Sequence, residues 1–381
     1  MQRCNILTIF LAFSLLAGAQ DWKVVRENPQ KAFPKTVAAG NYSGIAHLHD
    51  DIYAVVSDKS DSALYFNFRI QVNPKTGELE QVENLGFTER TDGTLNDGKP
   101  WLGQEKGFDH EAIVKVSDST LVIASEGYCR LKEYPVLPTS ADAAKVDYQQ
   151  NLWESRWSSS DFYPNYNFES LAFDSVHQYL WTIPESTLRK DGQPATPQNG
   201  LANRLRLMRL NWGKMKEDSN KEEYSEQVSS KKDSRYMMTY AYQMDQPSTH
   251  KKADIYVMGV SELCALPDGQ LLVLEREAFI PNIKIGAFCK CKLYLINPLN
   301  SEKFSMKEKF SSDTPFLKKR LLTEWKTGLS LSKRSFANYE GMCLGPKLED
   351  GSQVVILLSD SQDQYAGVLK DWFKTIVIRK E

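Results

Sequence analysis

Histidine, cysteine and long apolar runs are all scarce in this chain of 381 residues, and each scarcity removes a class of protein. Beyond the first 20 residues no run approaches the ~18 apolar residues that a membrane-spanning helix needs. Six cysteines are present, and only Cys129, Cys264, Cys289, Cys291 and Cys343 lie beyond that segment. Five are too few for a disulfide scaffold, so a hydrophobic core must hold the fold. Cys289 and Cys291 are free to form a local disulfide or to stay reduced, and with no second pair at metal-ligand spacing they argue against zinc. The five histidines include no His-Glu-x-x-His, and no Gly-x-Ser-x-Gly occurs, so neither a zincin nor a serine α/β-hydrolase is indicated. Charge of one sign is also missing. With 47 basic against 49 acidic side chains, nothing attracts the chain to nucleic acid.

Short runs of Val, Ile, Thr and Tyr, separated by turn residues, mark a β-rich chain. At the N-terminus Arg3, the apolar stretch Ile6 to Leu16 and the small residues Ala17-Gly18-Ala19 read as an export signal cleaved after Ala19. Residues 1–19 would then be a signal peptide. Residues 20–381 would form one domain, a soluble monomer working in the periplasm or outside the cell.

One phrase is written repeatedly. NFESLAFD at Asn167 and NYEGMCLG at Asn338 share the order aromatic, glutamate, small, large aliphatic. Looser copies stand at Asn41 (NYSGIAHL), Asp109 (DHEAIVKV) and Val260 (VSELCALP). Aligned, they place Ser43, Glu111, Glu169, Ser261 and Glu340 at one anchor position, with the glutamate of the fourth copy one place later, at Glu262. Each phrase leads through a turn into an apolar run ending in an acid: Asp58, Glu126, Glu185, Glu275 and Asp360. The unit is a β-hairpin, and further strand-like runs follow each copy. Repeats 58 to 92 residues apart match four-stranded blades, so the fold class is all-β and the architecture a β-propeller. Five blades can be counted and a degenerate sixth is left open. The segment around Trp22 to Val25 supplies a strand to the C-terminal blade and closes the ring, which removes exposed sheet edges.

Antiparallel hairpins present the anchor and the closing acid at the same end, so nine carboxylates are expected around one channel mouth. Oxygen donors in that number suit Ca²⁺, although carboxylates at strand ends also cap backbone N–H groups or pair with arginines. Lys59, Arg130, Arg189 and Arg276 follow the closing acids, placed to pair with them or to hold an anionic substrate. The His47-Leu-His-Asp-Asp motif falls in a hairpin turn, on the opposite face.

The phrases GVSELCALPDGQLLVLERE, NFESLAFD with LWTIPES, and NYEGMCLG with LLSDSQ resemble the phytase-like family, "esterase-like activity of phytase", common among exported bacterial proteins. The resemblance covers essentially the whole mature chain. It implies a propeller hydrolysing phosphoesters or esters, although the dense Asp/Lys constellation of propeller phytases has no match here. The mechanism that fits is calcium held by Glu111, Glu169 and Glu340, with Asp58 and Asp360 completing the metal set. Lys59, Arg130, Arg189 and Arg276 would bind the substrate anion, and Glu275 and Glu185 would act as acid and base. The competing class is a non-catalytic propeller that binds a ligand or partner at the same mouth.

Overall fold

Every hairpin read from the sequence forms the inner half of an antiparallel sheet, four-stranded in four blades. The fifth is extended by a two-residue strand, Lys31–Ala32, on the edge of its third strand. The computed structural model describes residues 21–58, 65–87, 109–127, 129–136, 153–219, 235–330, 334–362, 364 and 369–381. The expected signal peptide and Lys59 lie outside these residues.

The chain enters with β1 (Trp22–Glu27) and the short β2 (Lys31–Ala32). Blade one is β3 (Tyr42–His49), β4 (Ile52–Ser57), β5 (Phe66–Val72) and β6 (Leu79–Phe87). Blade two is β7 (His110–Lys115), β8 (Thr120–Ser125), β9 (Arg130–Pro135) and β10 (Glu154–Arg156). Blade three is β11 (Phe168–Asp174), β12 (Tyr179–Pro184), β13 (Arg204–Asn211) and β14 (Met237–Gln243), with the helix α1 (Trp212–Ser219) before its last strand. Blade four is β15 (Ile255–Ala265), β16 (Leu271–Ile280), β17 (Phe288–Ile296) and β18 (Lys319–Gly328). Blade five has β19 (Asn338–Lys347), β20 (Gln353–Asp360) and β21 (Trp372–Lys380), and takes β1 as its outermost strand.

That last pairing closes the ring. Trp22 lies opposite Lys380, and the main chains of Asp21 and Glu381 exchange hydrogen bonds of 2.7 and 3.1 Å. The inner strands β3, β7, β11, β15 and β19 each neighbour the next around the axis. The architecture is therefore a five-blade β-propeller, and the five sheets complete the circle without a sixth.

Apolar side chains on the blade faces interlock between neighbouring sheets. Between blades five and one, Tyr42, Phe66 and Phe68 meet Val354, Ile356 and Phe373 in one buried cluster, with Tyr42 edge-on to both phenylalanine rings at 5.4 and 5.1 Å. Near the axis the strands come too close for side chains everywhere: a Cβ on Gly44 of β3 would lie 2.7 Å from the Cα of Ala112 on β7. Cys264 and Cys343 fill small buried positions, as their place in the repeat suggests, and Cys289 and Cys291 are buried thiols with Sγ atoms 3.8 Å apart. Among the described residues no helix is long and apolar enough to cross a membrane.

Candidate functional site

Each inner strand carries one extra residue near the channel mouth. The register skips between Tyr42 and Ile45, His110 and Ala112, Phe168 and Ser170, Val260 and Glu262, and Tyr339 and Gly341. The residues passed over include all five anchors: Ser43, Glu111, Glu169, Ser261 and Glu340. A β-bulge takes its residue out of the ladder and re-aims the side chain. The repeated phrase is thus the sequence of a bulge.

The closing residue stands opposite the position two places before the anchor. The N–H groups of Asp58, Glu126 and Glu185 donate to the carbonyls of Asn41, Asp109 and Asn167 at 3.0, 2.8 and 2.8 Å. In blade five the ladder pairs Asn338 with Asp360, and in blade four it pairs Gly259 with Arg276. The fourth closing residue is therefore a cation. Glu275, which the repeat alignment puts there, is one position short and faces the other way. Its carboxylate accepts from the Tyr242 hydroxyl at 2.7 Å and from Lys319 Nζ at 2.6 Å, between blades three and four. The offset of Glu262 has the same meaning. Its Oε1 accepts the N–H groups of Leu171 and Leu263, both at 2.9 Å, and ties blade four to blade three instead of joining the mouth.

Arg276 organises half of the site. Its Nη2 donates to Glu185 at 2.6 Å and to Glu169 at 3.1 Å; its Nη1 donates to Asn338 Oδ1 at 2.9 Å and to Glu340. One guanidinium thus joins carboxylates from blades three and five while itself buried. Gly259, beside it, leaves the space that Glu185 occupies: a Cβ there would sit 2.3 Å from Glu185 Cγ. Asn203 fixes the chain beyond Glu185, its Oδ1 accepting from Ser186 and Thr187 at 3.1 Å each and from the Ala195 N–H at 2.7 Å.

On the other side, carboxylate oxygens of Asp58, Asp109 and Glu111 lie within 4.8 Å of one another. Asp109, in a left-handed conformation with φ of 51°, is absent from the alignment-based site. The signal for it was available: it occupies the position held by Asn41, Asn167 and Asn338 in three other copies.

So many acids in one place resist ionisation. Burial, then repulsion from Glu169, Glu340, Asp58 and Asp109, holds the Glu111 carboxyl well above the ordinary carboxylate range. Burial and Glu185 push Glu169 up, against the pull of Arg276. Glu340 is raised to about 8, chiefly by burial, with Arg276 pulling it down and Asp360 pushing it up. Glu126 is raised to about 7 by burial and by Asp109 and Glu185. The Tyr166 hydroxyl, pushed up to about 12 by burial and by its acidic neighbours, is a further polar group close to Glu185 and Glu169.

Arg130 and Arg189 are the other described cations of the expected set. Arg130 lies 3.8 Å from Glu154 within blade two. Arg189 donates from Nε to the Phe162 carbonyl at 2.6 Å and stacks over the Tyr163 ring. His177, in the turn on the opposite face, pairs with Asp174 at 2.7 Å.

Residues 37–362 match the family described as "Phytase-like: Esterase-like activity of phytase". The chain belongs to this phytase-like family. No curated protein matches it significantly. Among solved structures, a streptogramin B lyase aligns over 93% of this chain and 98% of its own, at 10% identity and a TM-score of 0.32. A hypothetical protein from Leishmania major aligns over 93% and 90%, at 10% identity and a TM-score of 0.37.

Proposed function

We propose that this phytase-like propeller hydrolyses esters or phosphoesters at the carboxylate-lined mouth, with a hard divalent cation such as Ca²⁺ in attendance. The observation that carries the reading is the division of the mouth into an arginine-organised triad, Glu169, Glu185 and Glu340, and a compact acid trio, Asp58, Asp109 and Glu111. The trio offers hard oxygen donors at a spacing that one Ca²⁺ could bridge, and burial with four acidic neighbours holds the Glu111 carboxyl well above its ordinary range. Glu169 and Glu340 already serve Arg276, so the cation set narrows to Asp58, Asp109 and Glu111, with Asp360 on the flank beside Glu340. When bound, the cation would polarise the scissile oxygen and offset charge developing there.

The protein's own groups supply the proton chemistry. Glu340 and Glu126, held near neutrality, keep protons available to a leaving oxygen at working pH. Arg276, its two terminal nitrogens already occupied, fixes the triad in place and is not the anion clamp. The same engagement favours a second reading, a non-catalytic module that binds a cation or ligand at this mouth.

Turnover of aryl phosphates and carboxylic esters, assayed with millimolar calcium and with EDTA, separates the two. The hydrolase reading expects activity with calcium, lost by two or more orders of magnitude in Glu340→Gln. It also expects a calcium-dependent rise in melting temperature that Glu111→Gln abolishes. Wild-type rates in Glu340→Gln reject catalysis at this mouth. A calcium-raised melting temperature without turnover leaves the binding module.

A further inference from the structure

Among the described residues, the inner hairpin of the fourth blade reaches further than those of the others. Its inner hairpin runs on past the mouth, from Val260 opposite Glu275 to Ile255 opposite Ile280, five residue steps or about 17 Å at the rise of an antiparallel strand. The tip is apolar. Ile283 is 75% exposed, Ile255 49% and Ile285 46%, above the stacked rings of Phe279 and Phe288, whose centroids are 5.1 Å apart. Single exposed aliphatic residues are ordinary, but three on one projecting hairpin form a patch.

Cations surround that patch. Lys251 and Lys252 are exposed on the segment entering β15. Lys284, in the turn, lies 3.5 Å from Asp254, and Lys326 holds its ammonium 3.6 Å from the centroid of the Phe288 ring. Arg334 is exposed and bridges through its backbone to Leu329, whose carbonyl accepts the Gly286 N–H at 2.8 Å. The segments that build the tip, residues 250–256, 279–288 and 326–330, hold one carboxylate, Asp254.

We propose that this tip docks the protein onto an anionic lipid surface. Isoleucines ringed by lysines can lower the apolar cap among the acyl chains while the ammonium groups meet headgroup phosphates. An acidic protein partner would answer the lysines but would leave the isoleucines in water unless it also offered a matching groove. The acidic mouth does not oppose this contact. It lies about 17 Å below the tip, beyond the ~8 Å screening length of physiological salt. A docked molecule would turn its mouth toward the lipid.

Co-sedimentation with phosphatidylcholine vesicles, with and without phosphatidylglycerol, tests the proposal without reference to any activity. The chain from Gln20 onward is the suitable material, because it contains every strand described and lacks the apolar run Ile6 to Leu16. Binding should require phosphatidylglycerol and weaken with salt. It should fall at least tenfold in Ile283→Asp/Ile285→Asp, and about fivefold for each of Lys251→Gln and Lys252→Gln. Circular dichroism spectra matching the parent show that these surface variants fold. Absence of vesicle binding by the parent chain, or undiminished binding by the isoleucine variant, overturns the proposal. The first result would leave the tip to a protein partner, a second copy included.

Discussion

Blades three and four carry the same hairpin and place opposite charges at its end. In blade three the closing residue is Glu185; in blade four it is Arg276, and the two side chains meet at 2.6 Å. Exchanging an acid for a cation at one of five equivalent positions changes what the other four can do. Around Arg276 three glutamates lie together with little exposure to water. Across the mouth, carboxylate oxygens of Asp58, Asp109 and Glu111 lie within 4.8 Å of one another. A repeat makes a ring of like charges, and one departure from the repeat makes half of that ring tolerable.

Removing that departure should have the largest effect. Arg276→Met leaves Glu169, Glu185 and Glu340 without their shared cation and is expected to cost about 3–5 kcal/mol, the usual penalty for stranding partners of a buried ion pair. Urea unfolding at pH 7 measures it, and the loss should shrink as pH falls and the stranded glutamates take up protons. A penalty that does not vary with pH would show that packing, not charge, is what Arg276 contributes.

A smaller effect follows from the raised acids themselves. Glu126 and Glu340 titrate at about 7 and about 8 in the folded chain, against about 4.5 when unfolded. Between those values the folded state holds more protons than the unfolded one, so stability falls as pH rises. The cost is absent below about pH 4.5 and complete above about pH 8, with a slope of up to about 1.4 kcal/mol per pH unit for each group. Glu340→Gln should flatten the upper part of that slope, and an unchanged slope would place the proton elsewhere.

The smallest effect is expected at Glu275. Because it faces Lys319 and Tyr242 between blades, Glu275→Gln should leave any turnover at the wild-type rate and cost about 1 kcal/mol of stability. Lost activity with intact folding would return Glu275 to the mouth and undo the register on which the comparison rests.

The propeller was legible because the chain repeats itself. Strand, turn, strand and closing acid recur often enough to count blades, and Trp22 was recognisable as the start of a strand the last blade lacked. The bulge was not legible. One extra residue per inner strand alters which way a side chain faces without altering composition. An alignment by residue type therefore selected Glu275 over Arg276 and read Glu262 as a displaced anchor. Asp109 is hidden for a related reason: the repeat is strongest at the anchors, while the position two residues earlier is the one that faces the closing residue. Arg206 shows the limit of local reading. It is buried between the rings of Phe304 and Phe310 and bonded to Asp191 at 2.7 Å, a meeting of distant loops that no short stretch of sequence announces.

The pairing of β1 with β21 has a consequence for the order of assembly. Strand β1 finds its partner only after the other four blades have been synthesised, a contact that links segments some 358 residues apart. Contacts of that kind carry a large loop-closure cost and form late. Until then blade five lacks its outer strand and β21 keeps an open edge. Blades one to four can be completed from local hairpins while the chain is still emerging, but the circle cannot. Removing β1 or β21 should therefore damage the same blade. Linking Asp21 to Glu381, whose main chains already touch, and reopening the chain between blades should yield a permuted protein with the same ring and a shorter path to closing it.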